Sequence, residues 1–525
     1  MTLADLRWPL ERAARVHGES VAVTGAGRSV TYAELAERVA RLGAALAGFG
    51  VEPGERVAFL GVNSLAHLEC WLGVPAAGRV LVDLNTRLAV DELAFMVDDC
   101  APRVLIHDAA NAETAARLLD RCGSLHELVP DGDPYEQLIA DPGPAALAPA
   151  LGADTLATIS YTGGTTGSPK GVMLSHGNLA ANALHNLIIT GHRPDDAFLH
   201  VNPMFHVAGI SNVFAATWVG ARQVVLPRFD PATVTDTIER ERVTLATFVP
   251  TMLAMWLTYL GEHPGADVSS LRNLHYAASP ISPVLQRRVC ETLAGCEIAQ
   301  MYGMTEAAPT VTQLSPDTHR RGVAGEEPDA SGLSSMGAPV PGVRAEVRRP
   351  DGSSLAPGEI GEVWVNGPNV MLGYWNRPEA TAAALTADGW YRTGDAAYAD
   401  AGGYLFMVDR LKDMIITGGE NVYSIEVENA LISLDGVAEA AVFGVPDPQW
   451  GERVHAVVVL ADSDDEAAQI DEVALRDHCR ARIAGFKVPR SFELRTEPLP
   501  KSGAGKVLKN PLREPHWRES ARRVS

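Results

Sequence analysis

The stretch Tyr161-Thr-Gly-Gly-Thr-Thr-Gly-Ser-Pro-Lys170-Gly171 sets four glycines (Gly163, Gly164, Gly167, Gly171) and four hydroxyl residues (Thr162, Thr165, Thr166, Ser168) around Lys170. Glycines let backbone N–H groups curl round an anion, hydroxyls add donors, and the lysine supplies a cation; phosphate is the ligand this combination suits. The apolar run Leu156 to Ile159 ahead of it makes it a loop after a strand. A flexible Gly/Ser/Thr linker is the bland alternative, but linkers rarely close on Pro-Lys-Gly followed at once by Val-Met-Leu. It is not a Walker A loop, which ends in Gly-Lys-Ser/Thr, so an ordinary P-loop nucleotidase is disfavoured.

Further clusters of reactive or ligand-binding residues follow along the chain: Pro203-Met-Phe-His-Val-Ala-Gly209, Tyr276-Ala-Ala-Ser-Pro280, Tyr302-Gly-Met-Thr-Glu306, Trp390-Tyr-Arg-Thr-Gly-Asp395, Asp409-Arg410-Leu-Lys412-Asp413, the diglycine Gly418-Gly419, and Pro500-Lys-Ser-Gly-Ala-Gly-Lys506. Taken singly, most have an ordinary reading. His206 alone is a satisfied core histidine, Glu306 a turn glutamate, 409–413 a charged surface turn, and Lys506 a solvated lysine. Carboxylates nonetheless suit two tasks: ligating a hard cation through oxygen, and accepting two hydrogen bonds at once.

In this order the motifs resemble the adenylate-forming superfamily that includes acyl-CoA synthetases, the adenylation domains of peptide synthetases and beetle luciferases, and the resemblance spans nearly the whole chain. It implies that the 162–170 loop, with Thr162, Gly163, Gly164, Thr165, Thr166, Gly167 and Lys170, grips the ATP phosphates. The family usually has Ser where this chain has Gly163, a loss of one hydroxyl. It further implies that Ala278 and Ser279 lie along adenine, Tyr302 stacks on it, Thr305 contacts the α-phosphate and Glu306 holds Mg²⁺. Asp395 would accept the ribose hydroxyls and Arg410 contact ribose or phosphate. Lys412 would be the pivot of a hinge at 409–412, Gly418 and Gly419 would let a pantetheine arm pass, and Lys506 would serve adenylation. ATP, Mg²⁺ and coenzyme A are the implied cofactors and co-substrates.

His206 stands in the aromatic-His segment beside the acyl pocket, where the resemblance implies a gating role. Amino-acid-activating relatives carry Asp there, so a substrate ammonium is disfavoured. Small or apolar neighbours (Val207, Ala208, Gly209, Ala277, Ala278, Met301) suit an aliphatic or aromatic tail. The expectation is a medium- to long-chain fatty acid, with an aryl acid as runner-up, and with a free-standing acyl carrier protein left open as acceptor in place of CoA.

The elements that must position these residues are those of an α/β protein. Thr31-Tyr-Ala-Glu34 reads as a capping box, and Leu35, Val39, Leu42 and Leu46 continue it at helical spacing. Strands are expected at 56–60, 80–84, 103–106, 223–226, 245–249 and 274–277, alternating with helices as in a helix-covered, largely parallel sheet. Short alternating segments between Gly337 and Trp364, split by Pro-Gly and Asp-Gly turns, indicate a smaller antiparallel region. A large N-terminal domain (1–408) and a small mobile α+β C-terminal domain (409–525) are expected; 525 residues exceed one ordinary core. Residues 315–335 read as a surface loop and Arg513 to Arg523 as a solvated tail.

Composition sets the outer bounds. A formal net charge of −21 repels polyphosphate backbones, which disfavours nucleic-acid partners. Six cysteines without a CxxC read as small buried hydrophobes in a reducing cytosol. With no apolar run of membrane-spanning length and no signal-like N-terminus, a cytoplasmic enzyme is expected; oligomeric state is not legible.

Overall fold

The computed structural model describes residues 5–141, 151–162, 169–210, 212–279, 281, 283–326, 332–410, 413–417, 420–460, 470–501 and 507–524. The capping box forms as read: Thr31 Oγ1 accepts the Glu34 N–H at 3.2 Å, and Glu34 Oε2 accepts the Thr31 N–H at 2.7 Å. The helix Tyr32–Gly48 then buries Leu35, Val39, Leu42 and Leu46 on one face. The expected strands appear within a residue or so of their sequence bounds, as Arg56–Leu60, Val80–Asp83, Val104–His107, Arg222–Val225, Leu245–Phe248 and Asn273–Tyr276.

The chain divides into two compact units, Met1–Ala345 with Val365–Tyr391, and Glu346–Trp364 with Arg392–Ser525. The first holds a nine-stranded and a seven-stranded sheet. In the nine-stranded sheet Arg222–Val225, Ala197–His200, Leu245–Phe248, Asn273–Tyr276 and Glu297–Gly303 are parallel neighbours. Thr310–Leu314 and Ala338–Pro339 are added antiparallel at one end. The seven-stranded sheet runs parallel from Glu127–Pro130 through to Leu156–Thr162, then turns antiparallel at Lys170–Ser175 and Gly373–Tyr374. Apolar side chains from strands and covering helices close the interior; around the nine-stranded sheet Phe248, Trp256, Leu274 and Tyr276 are all fully buried.

The second unit carries most of a four-stranded sheet ordered Arg344–Arg348, Gly361–Asn366, Tyr391–Ala399, Leu405–Arg410, whose last two strands are antiparallel. It also carries the α+β fold of the C-terminal portion, where Val437–Asp447 and Gly451–Leu460 form a long hairpin and Ser491–Arg495 pairs parallel with the second strand. Helices Ser424–Ile432 and Glu472–Arg480 cover one face through Val427, Leu431, Leu475 and Cys479. The other face holds Phe443, Val457, Leu499 and Leu512. Compactness and a pivot are different properties: the expected hinge lies within this unit, and Lys412 falls outside the described residues.

Two expectations are corrected. Within 315–335, Pro316–Val323 is a helix, not a loop: Ser315 Oγ caps it by accepting the Thr318 N–H at 3.1 Å, Pro316 stands in its first turn, and His319 is 1% exposed. The Ser-Pro-Asp start is an N-terminal signature that the Gly- and Glu-rich remainder masked. The 513–523 segment is likewise part of a helix, Lys509–Val524, whose Leu512 is buried and whose Trp517 Nε1 donates to the Gly444 carbonyl at 3.1 Å. A basic surface face concealed that two-residue anchor. Four of the six cysteines are buried and two half-buried, and all are free thiols.

Candidate active site

Three of the motif loops leave the same edge of the nine-stranded sheet. Strands Ala197–His200, Asn273–Tyr276 and Glu297–Gly303 all point the same way, so the segments that follow them (201–206, 277–279 and 304–306) emerge together at their C-terminal ends. Ligands of open parallel sheets bind at that edge because helix N-termini and mobile loops gather there.

The Tyr302-to-Glu306 turn is tightly determined. Tyr302 pairs with Thr312 across the antiparallel step, and Thr305–Ala307 forms a single 3₁₀ turn. Gly303 is obligatory, since a Cβ there would lie 1.8 Å from the Pro309 carbonyl oxygen. Met304 N–H donates to that same oxygen at 3.0 Å. Asn369, fully buried, donates to the carbonyls of Ala307 at 2.7 Å and Thr310 at 2.9 Å, which clamps the turn from the far side.

Residues 371–375 connect this turn to the phosphate-loop hairpin. Met371 N–H donates to the Glu306 carbonyl at 2.9 Å, Leu372 N–H to Met173 at 3.0 Å, and Trp375 N–H to Gly171 at 2.7 Å. The Tyr374 hydroxyl donates to Glu306 Oε1 at 3.0 Å, and Lys170 Nζ stands 4.9 Å from the centre of the Tyr374 ring. Burial and the Glu306 carboxylate push the Tyr374 hydroxyl well above its ordinary pKa, so it remains a donor.

Thr162 and Lys170 are register partners at the mouth of the hairpin, and Thr162 Oγ1 donates to the Lys170 carbonyl at 3.4 Å. A strand, not a helix, follows the loop, which separates it from a Walker A arrangement as its sequence ending required. Gly163, Gly164, Thr165, Thr166 and Gly167 lie outside the described residues. So do Gly418, Gly419 and Lys506.

Ala278 takes a left-handed backbone (φ 76°), which costs a side chain with a Cβ about 1 kcal/mol and is kept where surroundings over-determine a loop. Ser279 follows it, half-buried. His206 closes a turn by donating its N–H to the Pro203 carbonyl at 3.1 Å and lies against Phe205, ring centroids 4.7 Å apart. Its Nε2 is buried with no hydrogen-bond partner among the described residues, and burial, helped by the charge of Arg87, lowers its pKa to about 4. The imidazole is therefore neutral near neutral pH.

Within the second unit, Asp395 and Arg410 are cross-strand partners, with Arg410 Nε 3.4 Å from Asp395 Oδ1. Asp395 is 4% exposed; its N–H donates to Thr393 Oγ1 at 3.0 Å, and Thr393 donates to the Val363 carbonyl at 2.8 Å. Glu362 braces the same strand by accepting from Arg392 Nε at 3.0 Å and the Gly394 N–H at 3.1 Å. Among the described residues that flank Lys506, Lys501 forms an isolated bridge with Val507, and Leu508 N–H donates to the Pro500 carbonyl at 2.7 Å.

The structure thus groups Thr162, Lys170 and Glu306 through Tyr374, and pairs Asp395 with Arg410. Sequence reading missed Tyr374, Asn369 and Gly303. Asn366-Gly-Pro-Asn369 carried a loop signal, but nothing in it named the partner it clamps. His455, Glu493 and His516 also offer ligand atoms within 4.8 Å of one another. Glu493 is already paired with Arg495 at 2.5 Å and His455 Nδ1 with Ser491 Oγ at 2.8 Å, so that trio reads as a packed cluster.

The profile of the AMP-binding enzyme family matches residues 10–375, and that of the AMP-binding enzyme C-terminal domain matches 426–506. A feruloyl-CoA synthase from Amycolatopsis is 44% identical over 510 residues, covering 96% of this chain and 98% of that one. A long-chain-fatty-acid–CoA ligase from Thermus thermophilus is 36% identical over 521 residues, covering 96% and 94%. The ATP-bound crystal structure of MatB from Rhodopseudomonas palustris superposes with a TM-score of 0.86 at 32% identity, covering 98% of both chains.

Proposed function

The chain belongs to the AMP-binding enzyme family, and on that premise we propose that it activates an aryl acid of the hydroxycinnamate type and transfers the acyl group to coenzyme A. The coarser activity is that of an ATP-dependent, AMP-forming acid–CoA ligase that uses Mg²⁺. The observation that carries the choice of acid is the 44% identity, over nearly the full length of both chains, with a feruloyl-CoA synthase. The Nε2 of His206, without a partner among the described residues, supports it. A phenolic hydroxyl on the acid's tail can hydrogen-bond to that atom, whereas a plain alkyl tail leaves it unsatisfied, at a cost of about 1–3 kcal/mol. The fatty-acid expectation is accordingly the second reading, supported by the relative from Thermus.

A carboxylate resists thiol attack because the incoming electrons must go onto oxygen that is already negative. Coupling to AMP removes that obstacle. The acid's oxygen attacks the α-phosphorus of ATP and pyrophosphate leaves; the CoA sulfur then attacks the acyl carbon and AMP leaves, its phosphate taking the electron pair. In this reading Thr162 and Lys170, with the loop between them, donate to the phosphates as charge builds there. Glu306 is a hard oxygen donor oriented by Tyr374, a donor set that fits Mg²⁺, which when bound neutralises phosphate charge. Thr305 donates to the α-phosphate, Tyr302 stacks on adenine beside the Ala278–Ser279 loop, and Asp395 accepts the ribose hydroxyls with Arg410 alongside. Lys506 serves the first half-reaction and the Gly418–Gly419 segment the second, exchanged by rotation about 409–412.

The test is an acid panel (hydroxycinnamates, benzoates, short to long alkanoates) incubated with ATP, Mg²⁺ and CoA, with AMP and acyl-CoA scored by mass spectrometry. Selective turnover of hydroxycinnamates supports the proposal. Preference for alkanoates overturns the aryl reading, and acyl-adenylate without acyl-CoA points to a carrier protein as the acceptor.

A further inference from the structure

One buried ammonium ties together three segments of the second unit that the proposed mechanism uses. Lys509 Nζ lies 2.7 Å from Glu428 Oε1 and donates to Ser424 Oγ. The side chains of Lys509 and Glu428 are each 15% exposed. Glu428 Oε1 also accepts the Val442 N–H at 2.8 Å, which fastens the helix Ser424–Ile432 to the long hairpin. Ser424 N–H in turn donates to Asp409 Oδ2, and Asp409 Oδ1 accepts the Arg410 N–H at 2.7 Å. Asp409 is 1% exposed.

The chain positions of these groups give the network its meaning. Asp409 and Arg410 end the strand that runs into the expected hinge. Ser424 opens the helix that follows the diglycine hairpin, Ile415–Thr417 with Glu420–Val422. Lys509 opens the last helix directly after Val507, which bridges Lys501, and Leu508, which donates to the Pro500 carbonyl; Lys506 immediately precedes Val507 in the chain.

Burial raises the pKa of both Asp409 and Glu428, and the nearby Lys509 pulls each the other way; Asp413 adds a further negative charge near the ammonium. Two carboxyl groups around one ammonium are a poor source of net stability, because desolvation offsets the attraction and an apolar trio of similar volume holds such elements as well. What the charged set provides is direction, since each hydrogen bond fixes an angle as well as a distance.

We propose that Lys509 is a positioning residue for adenylation. Through Glu428, Ser424 and Asp409 it fixes the start of the helix Lys509–Val524, three residues after Lys506 in the chain, relative to the strand that ends at Arg410. The inference rests on the reading that Lys506 serves the first half-reaction.

The test uses the full-length enzyme with Lys509→Met, Lys509→Arg and Glu428→Gln beside Lys506→Ala. Acyl-adenylate formation without CoA, thioester formation from supplied acyl-adenylate and CoA, and thermal unfolding are measured for each. Lys509→Met should slow adenylation by about tenfold or more through kcat, with KM for ATP and the thioester step within about twofold of the parent. Lys509→Arg should recover most of that loss. Glu428→Gln should show the same split more weakly, and it carries the test if the methionine variant does not fold. Equal losses in both half-reactions that track the melting temperature would make the network merely structural and overturn the proposal. Unchanged adenylation in Lys509→Met, with Lys506→Ala inactive, would overturn it alone. Full adenylation by Lys506→Ala would instead sink the underlying reading of Lys506, and this inference with it.

Discussion

Tyr374 donates its hydroxyl to Oε1 of Glu306 across 3.0 Å, and its ring lies 4.9 Å from Nζ of Lys170. One side chain therefore touches both the proposed metal-holding carboxylate and the cation at the end of the phosphate loop. Tyr374→Phe keeps the ring and deletes only the donor. Adenylation measured by pyrophosphate release should fall about tenfold in kcat/KM, with a raised Mg²⁺ requirement. A parent-like Mg²⁺ dependence would mean that the hydroxyl does not orient Glu306.

Asp395 is positioned by its own strand and faces Arg410 from the neighbouring one. Asp395→Asn preserves shape but turns half of a two-oxygen acceptor into a donor. If Asp395 accepts both ribose hydroxyls, KM for ATP should rise by about ten- to a hundredfold while KM for the acid barely moves. A change confined to the acid would place this carboxylate elsewhere in the reaction.

Much of this was legible beforehand, for identifiable reasons. The Thr31–Glu34 cap and the strand at 56–60 follow local rules of capping and apolar runs, and they form as read. The motif residues were legible because their chemistry is carried by type: a glycine-rich loop, a carboxylate, a histidine among apolar neighbours. Tyr374 and Asn369 were not, because their meaning lies in contacts to residues 68 and 62 positions away. Lys509 looked like any basic residue near a chain end until Glu428 and Ser424 closed around it. The helix at Pro316–Val323 was missed because composition over a long window outweighed a three-residue start signal.

Gly303 admits no side chain, since the Pro309 carbonyl oxygen occupies the place of a Cβ at 1.8 Å. Gly303→Ala must push apart the two sides of the turn that bears Thr305 and Glu306. We expect a loss of about 3 kcal/mol in denaturant unfolding and adenylation reduced beyond what the unfolded fraction explains. A variant as stable as the parent would show that the turn can relax at little cost.

Acidification should destabilise the fold. His200, His206 and His319 are each held to about 4 by burial, against an ordinary 6.5. Between those values the unfolded chain binds protons that the folded chain refuses. Stability is thus fully present above about pH 6.5 and is lost as pH falls toward 4, by up to roughly 3 kcal/mol per imidazole. Asp409 and Glu428, raised by burial, act in the opposite sense but share one network with Lys509. Melting temperatures should therefore drop between about pH 7 and pH 5. His200→Gln should flatten the slope, and an unchanged slope would put the proton uptake elsewhere.

His206 offers the sharpest separation of the two substrate readings. Its neutral imidazole is buried with Nε2 unpartnered among the described residues, so an apolar replacement removes a hydrogen-bonding group without exposing a charge. His206→Leu should cost a hydroxycinnamate about tenfold in kcat/KM, the worth of one buried hydrogen bond. Alkanoates should be unaffected or improved, because the orphaned nitrogen no longer has to be buried beside an alkyl chain. The ratio of the two activities cancels any general damage to the protein. If the ratio stays constant while both activities fall, His206 acts on the reaction and not on the choice of acid, and the support it lends to an aryl substrate is withdrawn.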